Sequence, residues 1–473
     1  MITIDFSKRG SLTLTQYLYE ALKAFIFDGT LNENDKLPSK RTFANHLGVS
    51  VLTVQNAYVH LIEEGFLYSI EKKGFFVSSL ANHLKEKKVE NEEIDFPKLK
   101  SQPCEPIYFA DFTNNAIASE KFPFSLWSKT MRKVLNSNDE KLLEKTDVSG
   151  FFELRRALCR HLKEFRNMSV CENQVIIGSG TESLYSMIVQ FLGREEIFAV
   201  ENPGYRKAGE IFRLNGAKCI SVKIDEYGID IEELKKSKAN VVNVSPSHNF
   251  PSGITMNFHR RKELLDWAGE KKNRFIIEDE YDSEFRFAGN PLPTLQSIDQ
   301  NNCVIYINTF SKTLSPSFRI SYMVLPLRLA KKFKEKLALY SCPVSSFEQF
   351  TLARFINDGN YERHINRMKN YYRSLRNDLV LAFKNSKLAE VGEIHEENSG
   401  LHFLFTLKSG IDAKSLQEKW KKKEIKIQLL SDYYYEDCPG FEAYEKKESF
   451  IVNYSGIKKE MTGEIVKRLC ECL

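Results

Sequence analysis

The sequence predicts two unlike parts: an N-terminal unit of three short helices with a β-hairpin, and a much larger α/β unit. Three observations carry this. Between Thr13 and Gly65, apolar residues recur at helical spacing in three short runs, each closed by a glycine. A polar, charged stretch, Ser78–Pro106, separates that unit from the rest. Beyond it, apolar runs of strand length such as Val241–Val244 end in turns rich in glycine and proline.

The first run, Thr13 to Phe27, places Leu14, Tyr17, Leu18, Ala21, Leu22 and Phe25 on one stripe, and Gly29 stops it. Ser39 caps a second helix that Gly48 ends, and Ser50 caps a third that Gly65 ends. In the third helix Val51, Val54, Tyr58 and Leu61 are expected to face inward. Phe66–Ile70 and Gly74–Val77 flank Glu71-Lys72-Lys73 in a hairpin pattern. Three helices and a hairpin read as a winged helix-turn-helix over residues 1–80.

Residues 1–80 contain eight Lys/Arg and eight Asp/Glu, so their net charge does not point to nucleic acid. The distribution says more: no acidic residue lies between Lys36 and Ile62, while Lys36, Lys40 and Arg41 are cationic. Such a face suits a phosphate backbone, and equally an ordinary solvated surface. Lys40 and Arg41 open the second helix. Ser50, Thr53, Gln55, Asn56 and His60 are the polar positions of the third, from which base edges or phosphates can be reached.

Residues 81–106 are expected to be a flexible linker, with a short amphipathic helix near 84–92 as an option. Its charge runs Lys85-Glu86-Lys87-Lys88 and Glu90-Asn91-Glu92-Glu93 cannot bury much surface, and Pro97, Pro103 and Pro106 discourage regular structure. At 473 residues the chain has room for two or three domains, and a net charge of +5 neither demands nor excludes nucleic acid. Nine scattered cysteines without a C-x-x-C pair fit reduced thiols in a cytoplasmic protein. No signal peptide opens the chain, and no apolar run approaches the ~18 residues that span a membrane.

The large unit, 107–473, holds the chemistry. Lys312 lies in a serine/threonine loop ending in Arg319, and Asp279-Glu280-Tyr281 precedes it. Pyridoxal phosphate needs these parts: an amine for its aldehyde, an acid for its ring nitrogen, a phenol for its ring oxygen and a cationic, hydroxyl-rich phosphate cup. Lys312 is the amine, Asp279 the acid, and Tyr281, two residues along the strand, shares its face. Thr309, Ser311 and Arg319 are the phosphate donors, arginine with its fork of N–H groups. A buried strand turning through Ser179-Gly180-Thr181 into a helix offers backbone N–H groups to an anion, or is a plain strand–helix turn. Tyr205 can stack on a flat ring or lie on the surface. Asn249 can share the ring oxygen or shape its Pro/Gly turn.

Glycine turn, aromatic loop, Asn/Pro/Gly loop, Asp-x-Tyr and Ser-Lys…Arg, in that order, resemble the aspartate-aminotransferase superfamily of fold type I. The resemblance implies a mostly parallel central sheet and a smaller C-terminal α/β part. Leu37-Pro38-Ser39-Lys40-Arg41, Leu47-Gly48-Val49-Ser50, Leu61-Ile62-Glu63-Glu64-Gly65-Phe66 and Gly74-Phe75-Phe76-Val77 resemble the GntR-type DNA-binding domain, except that Val51 stands where family members usually carry arginine. Together they resemble the MocR family of bacterial transcription regulators, as do Phe122-Pro123 with Trp127 and Gly150 with Leu154-Arg155.

That resemblance implies a head-to-tail homodimer on promoter DNA, pyridoxal phosphate as cofactor, and an aminotransferase fold used as a sensor rather than as an enzyme. The motif wording is closest to GABA-responsive members: Pro203-Gly204-Tyr205-Arg206, Pro246-Ser247-His248, and Tyr281-Asp282-Ser283-Glu284-Phe285. Two positions depart. Gly456 stands where aminotransferases place the arginine that grips a substrate carboxylate, and Lys207 where GABA-responsive members place a second arginine. The cofactor residues remain, so the expected effector is pyridoxal phosphate itself, as in pyridoxine-synthesis regulators. An amine- or amino-acid-responsive regulator and an active aminotransferase carrying a DNA-binding domain are the alternatives.

Overall fold

The computed structural model describes residues 2–79, 107–114, 116–137, 139–287, 289, 292–396, 398, 400–435 and 448–473. The linker expected at 81–106, with its optional helix, lies outside them. Two compact units are present, Met1–Pro106 and Ile107–Leu473.

In the first unit α1 (Leu14–Phe27), α2 (Lys40–Leu47) and α3 (Val51–Glu63) pack around Leu18, Leu22, Ile26, Phe43, Val54, Tyr58 and Leu61. Their starts are set by side chains: Thr13, Ser39 and Ser50 each accept from a backbone N–H of the first turn. Gly48 ends α2 in the left-handed conformation at φ 67°, which favours glycine there. The wing is a three-stranded antiparallel sheet, because β1 (Lys36–Leu37) joins β3 (Gly74–Val77), which pairs with β2 (Leu67–Ile70). The hairpin was legible in the sequence and the third strand was not, since two residues are too few for a periodicity. One expectation is corrected: Val51 is 41% exposed rather than inward-facing, and Leu52 is 63% exposed. Val51 is the first residue of α3, a full turn before Val54, and the core it would join does not extend that far.

The second unit is an α/β domain on an eight-stranded sheet. Its strands, after the short β4 (Ala110–Asp111), are β5 (Val175–Gly178), β6 (Ile197–Asn202), β7 (Lys218–Asp225), β8 (Gly228–Ile229), β9 (Val241–Val244), β10 (Phe275–Glu280), β11 (Val304–Thr309) and β12 (Ser321–Val324). The order is β5-β12-β11-β10-β9-β6-β7-β8. Four ladders are parallel, and only β12 and β8 run against the other strands. Central strands buried on both faces read as continuous apolar runs, as Val241–Val244 does. Packed helices cover both faces, with separate apolar clusters around Ile277 and Ile276.

The smaller C-terminal part is an antiparallel sheet of β13 (Gly392–His395), β14 (His402–Leu407), β16 (Gln428–Leu429) and β17 (Ser449–Asn453), in the order β13-β14-β17-β16. β15 (Ile425–Lys426) pairs with β4. The 25-residue helix Asn360–Lys384 packs Tyr372, Leu375, Leu379 and Phe383 into this part's core. Among the described residues no helix is long and apolar enough to cross a membrane.

Candidate functional site

In an open parallel sheet the chain leaves each strand at its carboxyl end, so loops from several strands converge there. Gly180 and Thr181 follow β5, Tyr205 follows β6, Ser245 and Phe250 follow β9, Tyr281 follows β10, and Lys312 follows β11. A cavity of about 250 Å³ lies among them, lined by Thr181, Tyr205, Asp279, Tyr281, Thr309, Ser311, Lys312 and Arg319. Eight of the ten residues singled out from the sequence therefore meet at one place. Glu182, Lys207, Ser245, Phe250 and Pro316 complete the lining.

Gly180 and Asn249 stand just behind it. Gly180 has φ +81°, and a side chain there would start 2.7 Å from Arg319 Nη2, so glycine makes room for the guanidinium. Asn249 is buried and engaged: its Nδ2 donates to Glu201 Oε2 at 2.7 Å, and its Oδ1 accepts from Ser252 Oγ at 2.6 Å. The geometry matches the turn-shaping alternative for this residue.

Burial shapes the charges of the lining. It lowers the Lys312 amine to about 8, although Asp282 pulls the other way. It lifts the Asp279 carboxyl to about 7 against the hydrogen bond donated by the Tyr185 hydroxyl to Oδ2. It also pushes Tyr205 up to about 12. Tyr281 Oη lies 3.0 Å from His248 Nδ1, which lies 3.0 Å from Asp282 Oδ2. Ser321 Oγ and Ser311 N–H both donate to Thr309 Oγ1, which fixes the Thr309–Ser311 corner. At the rim Glu182 holds Lys207 and also Arg319, the latter at 3.1 Å.

Four of these residues escaped sequence reasoning. Tyr185 lies one helical turn after Thr181, a spacing that puts both on one face and was available as a signal. Glu182 sits in the glycine-turn motif, but nothing in its spacing marks it. The pairing of His248 with Asp282 joins two loops, and no local pattern foretells it. Gly456 follows β17, is exposed and is not among the cavity's lining residues.

On the first unit, Arg41, Ser50, Gln55, Asn56 and His60 are exposed, and Lys40 and Thr53 half-buried. Lys40 Nζ lies 3.5 Å from Gln55 Oε1, so the two helices present these groups side by side. Ser50 is occupied as the α3 cap, accepting from Thr53 N–H at 3.0 Å. His60 lies 3.6 Å from Glu63, in the last turn of α3.

Comparison with known proteins adds what geometry cannot. Residues 14–77 match the family "Bacterial regulatory proteins, gntR family", and residues 112–469 match "Aminotransferase class I and II". The chain is 37% identical to the uncharacterized HTH-type transcriptional regulator YdeL of Bacillus subtilis, over 99% of this chain and 98% of that one. It is 29% identical to the probable rhizopine catabolism regulatory protein MocR of Rhizobium meliloti, over 99% of this chain and 95% of that one. It is 27% identical to the pyridoxine biosynthesis transcriptional regulator PdxR of Corynebacterium glutamicum, over 85% of each. The crystal structure of Pyrococcus horikoshii kynurenine aminotransferase superposes with a TM-score of 0.67 at 25% identity, covering 83% of this chain and 97% of that one. The chain belongs to the class I and II aminotransferase family and carries a gntR-family DNA-binding domain ahead of it, the arrangement of MocR-type transcriptional regulators.

Proposed function

We propose that this regulator binds pyridoxal phosphate in the cavity at the strand ends and takes the cofactor itself as its signal, controlling genes of vitamin B6 synthesis as a dimer on promoter DNA. The carrying observation is a cavity lined with the groups the cofactor needs, whose remaining cation, Lys207, is already held by Glu182 and so is not free to grip a substrate carboxylate. The relative named for pyridoxine biosynthesis supports the same reading.

The residues suit the cofactor on their own atoms. Among the described residues Asp279 Oδ1 is buried without a hydrogen-bond partner, although its residue lines the cavity. An isolated buried acceptor costs about 1–3 kcal/mol, and a ring N–H would relieve it. In this reading Asp279 accepts a hydrogen bond from the ring N–H, with Tyr185 holding its other oxygen. Tyr281 serves the ring oxygen, and Tyr205 covers a ring face. Thr181, Thr309, Ser311 and Arg319 hold the phosphate. Lys312 presents an amine that burial keeps partly neutral, as bond formation to a carbonyl carbon requires. When bound, pyridoxal phosphate supplies that carbonyl and an electron-withdrawing ring.

On the DNA side, Lys40 and Arg41 meet phosphates, while Gln55 and Asn56 reach base edges from α3. Ser50 and Thr53 order the first turn of α3, and His60 stands at the margin of the contact.

The test is operator binding measured with the cofactor alone. Pyridoxal phosphate, with no amine added, should change operator affinity by about 5–150-fold, the usual range of allosteric coupling. Equal affinity with and without cofactor, and a response only on adding an amine, would establish an amine sensor instead.

A further inference from the structure

A second cavity, of about 150 Å³, lies between the end of the helix Phe152–Arg166, the loop after β10 and the helix Asn360–Lys384. It shares no lining residue with the cavity at Lys312. Three cationic side chains from three different elements line it: Arg166, Arg286 and Lys369. Among the described residues, Arg286 Nε and His161 Nδ1, both belonging to lining residues, are buried without hydrogen-bond partners. Two unused nitrogens on a cationic wall are what an incoming acceptor would satisfy.

The wall is not purely basic. Glu284 and Glu362 also line it, and among the described residues Glu284 Oε2 is buried without a partner. A bare anion would meet these carboxylates unfavourably, whereas one that also carries a hydroxyl could donate to them. Lys369 is the under-compensated cation: burial first, then Arg373, Arg166 and Arg286, hold it below its usual range, whereas Glu284 and Glu280 help to keep Arg166 charged.

From this geometry we infer that the cavity is a second ligand site, built for a small hydroxylated anion with a carboxylate or phosphate group. The loop that forms it continues from Asp279 and Tyr281 through Ser283, Glu284 and Arg286. A smaller void lined by Arg166, Ser283 and Arg286 reaches His248 and Asp282, the pair behind Tyr281. An anion here would therefore act on the same segment as the cofactor.

The experiment uses the full-length protein saturated with pyridoxal phosphate, titrated calorimetrically with inorganic phosphate, malate and succinate. Saturable binding of phosphate, malate or both is expected, with succinate weaker than malate because it lacks the hydroxyl. Phosphate alone would indicate a phosphorylated ligand, and malate alone a hydroxycarboxylate. Lys369→Gln, on a half-buried helix position, should keep the fold and weaken binding at least about tenfold. Arg286→Gln should do the same if it folds, and Lys207→Gln, at the rim of the first cavity, should leave this binding unchanged. No saturable binding at millimolar concentrations overturns the inference, as does equal binding by wild type and Lys369→Gln. Loss of binding in Lys207→Gln but not in Lys369→Gln would assign the anion to the first cavity and overturn it as well.

Discussion

Glu182 binds Arg319 at 3.1 Å and Lys207 on its other oxygen, so one carboxylate occupies both rim cations of the cavity. Lys207 chiefly, and then Arg319, hold the Glu182 carboxyl below its usual range, so it is ionised at working pH. A phosphate arriving at Arg319 must compete with it. Replacing the charge, Glu182→Gln, should tighten pyridoxal phosphate by a few-fold, since a pair this exposed is worth about 1 kcal/mol or less. An absorbance titration reads the change. Weaker binding in the variant would mean that Glu182 helps to build the cup rather than competing for it.

Lys312 should be the attachment point, and borohydride reduction followed by peptide mapping should find the pyridoxyl group there alone. Its amine at about 8 also sets a pH dependence. At pH 7 roughly one amine in ten is neutral, so capture of added cofactor should quicken about tenfold per unit below that value and level off above it. A rate still climbing tenfold per unit between about 8 and 10 would contradict the burial effect. Lys312→Ala should abolish attachment and most of the operator response, while leaving intrinsic DNA affinity in place.

Asp279 makes the cofactor-free protein sensitive to base. Its ordinary value is 3.8, and burial lifts it to about 7 in the folded state. Between these values the folded chain keeps a proton that the unfolded chain has released, so stability falls as pH rises through that window. Asp279→Asn removes the effect and should make the cofactor-free protein the more stable variant at about pH 8, by up to about 4 kcal/mol. Cofactor should then stabilise the variant less than wild type. Melting curves at about pH 5 and about pH 8 decide it.

Arg41→Ala should weaken binding to every DNA sequence and make the salt slope about one unit shallower, because an exposed cation at the start of α2 meets phosphate. Gln55→Ala or Asn56→Ala should instead change which operator is preferred. Unchanged affinity and salt dependence in Arg41→Ala would remove this face from the DNA contact.

Much of this molecule was legible in its sequence because the relevant signals are local. Serine caps and closing glycines bound the three small helices, and Asp279 with Tyr281 share a strand face by simple alternation. Val51 was misplaced because periodicity gives a phase and not the extent of the core. The residues that escaped are those whose partners lie in distant segments: Tyr185 on Asp279, His248 on Asp282, and Glu182 between two rim cations. Their roles arise only when the sheet brings separate loops together.

That convergence has a consequence for the regulator as a switch. The groups at the first cavity come from the ends of five strands and stretch along the chain from Thr181 to Arg319. No piece of the second unit short of that span brings them together. On the proposed reading, loading is thereby a certificate that the second unit is whole: a chain cut short within it keeps its gntR-family unit, yet cannot answer the signal.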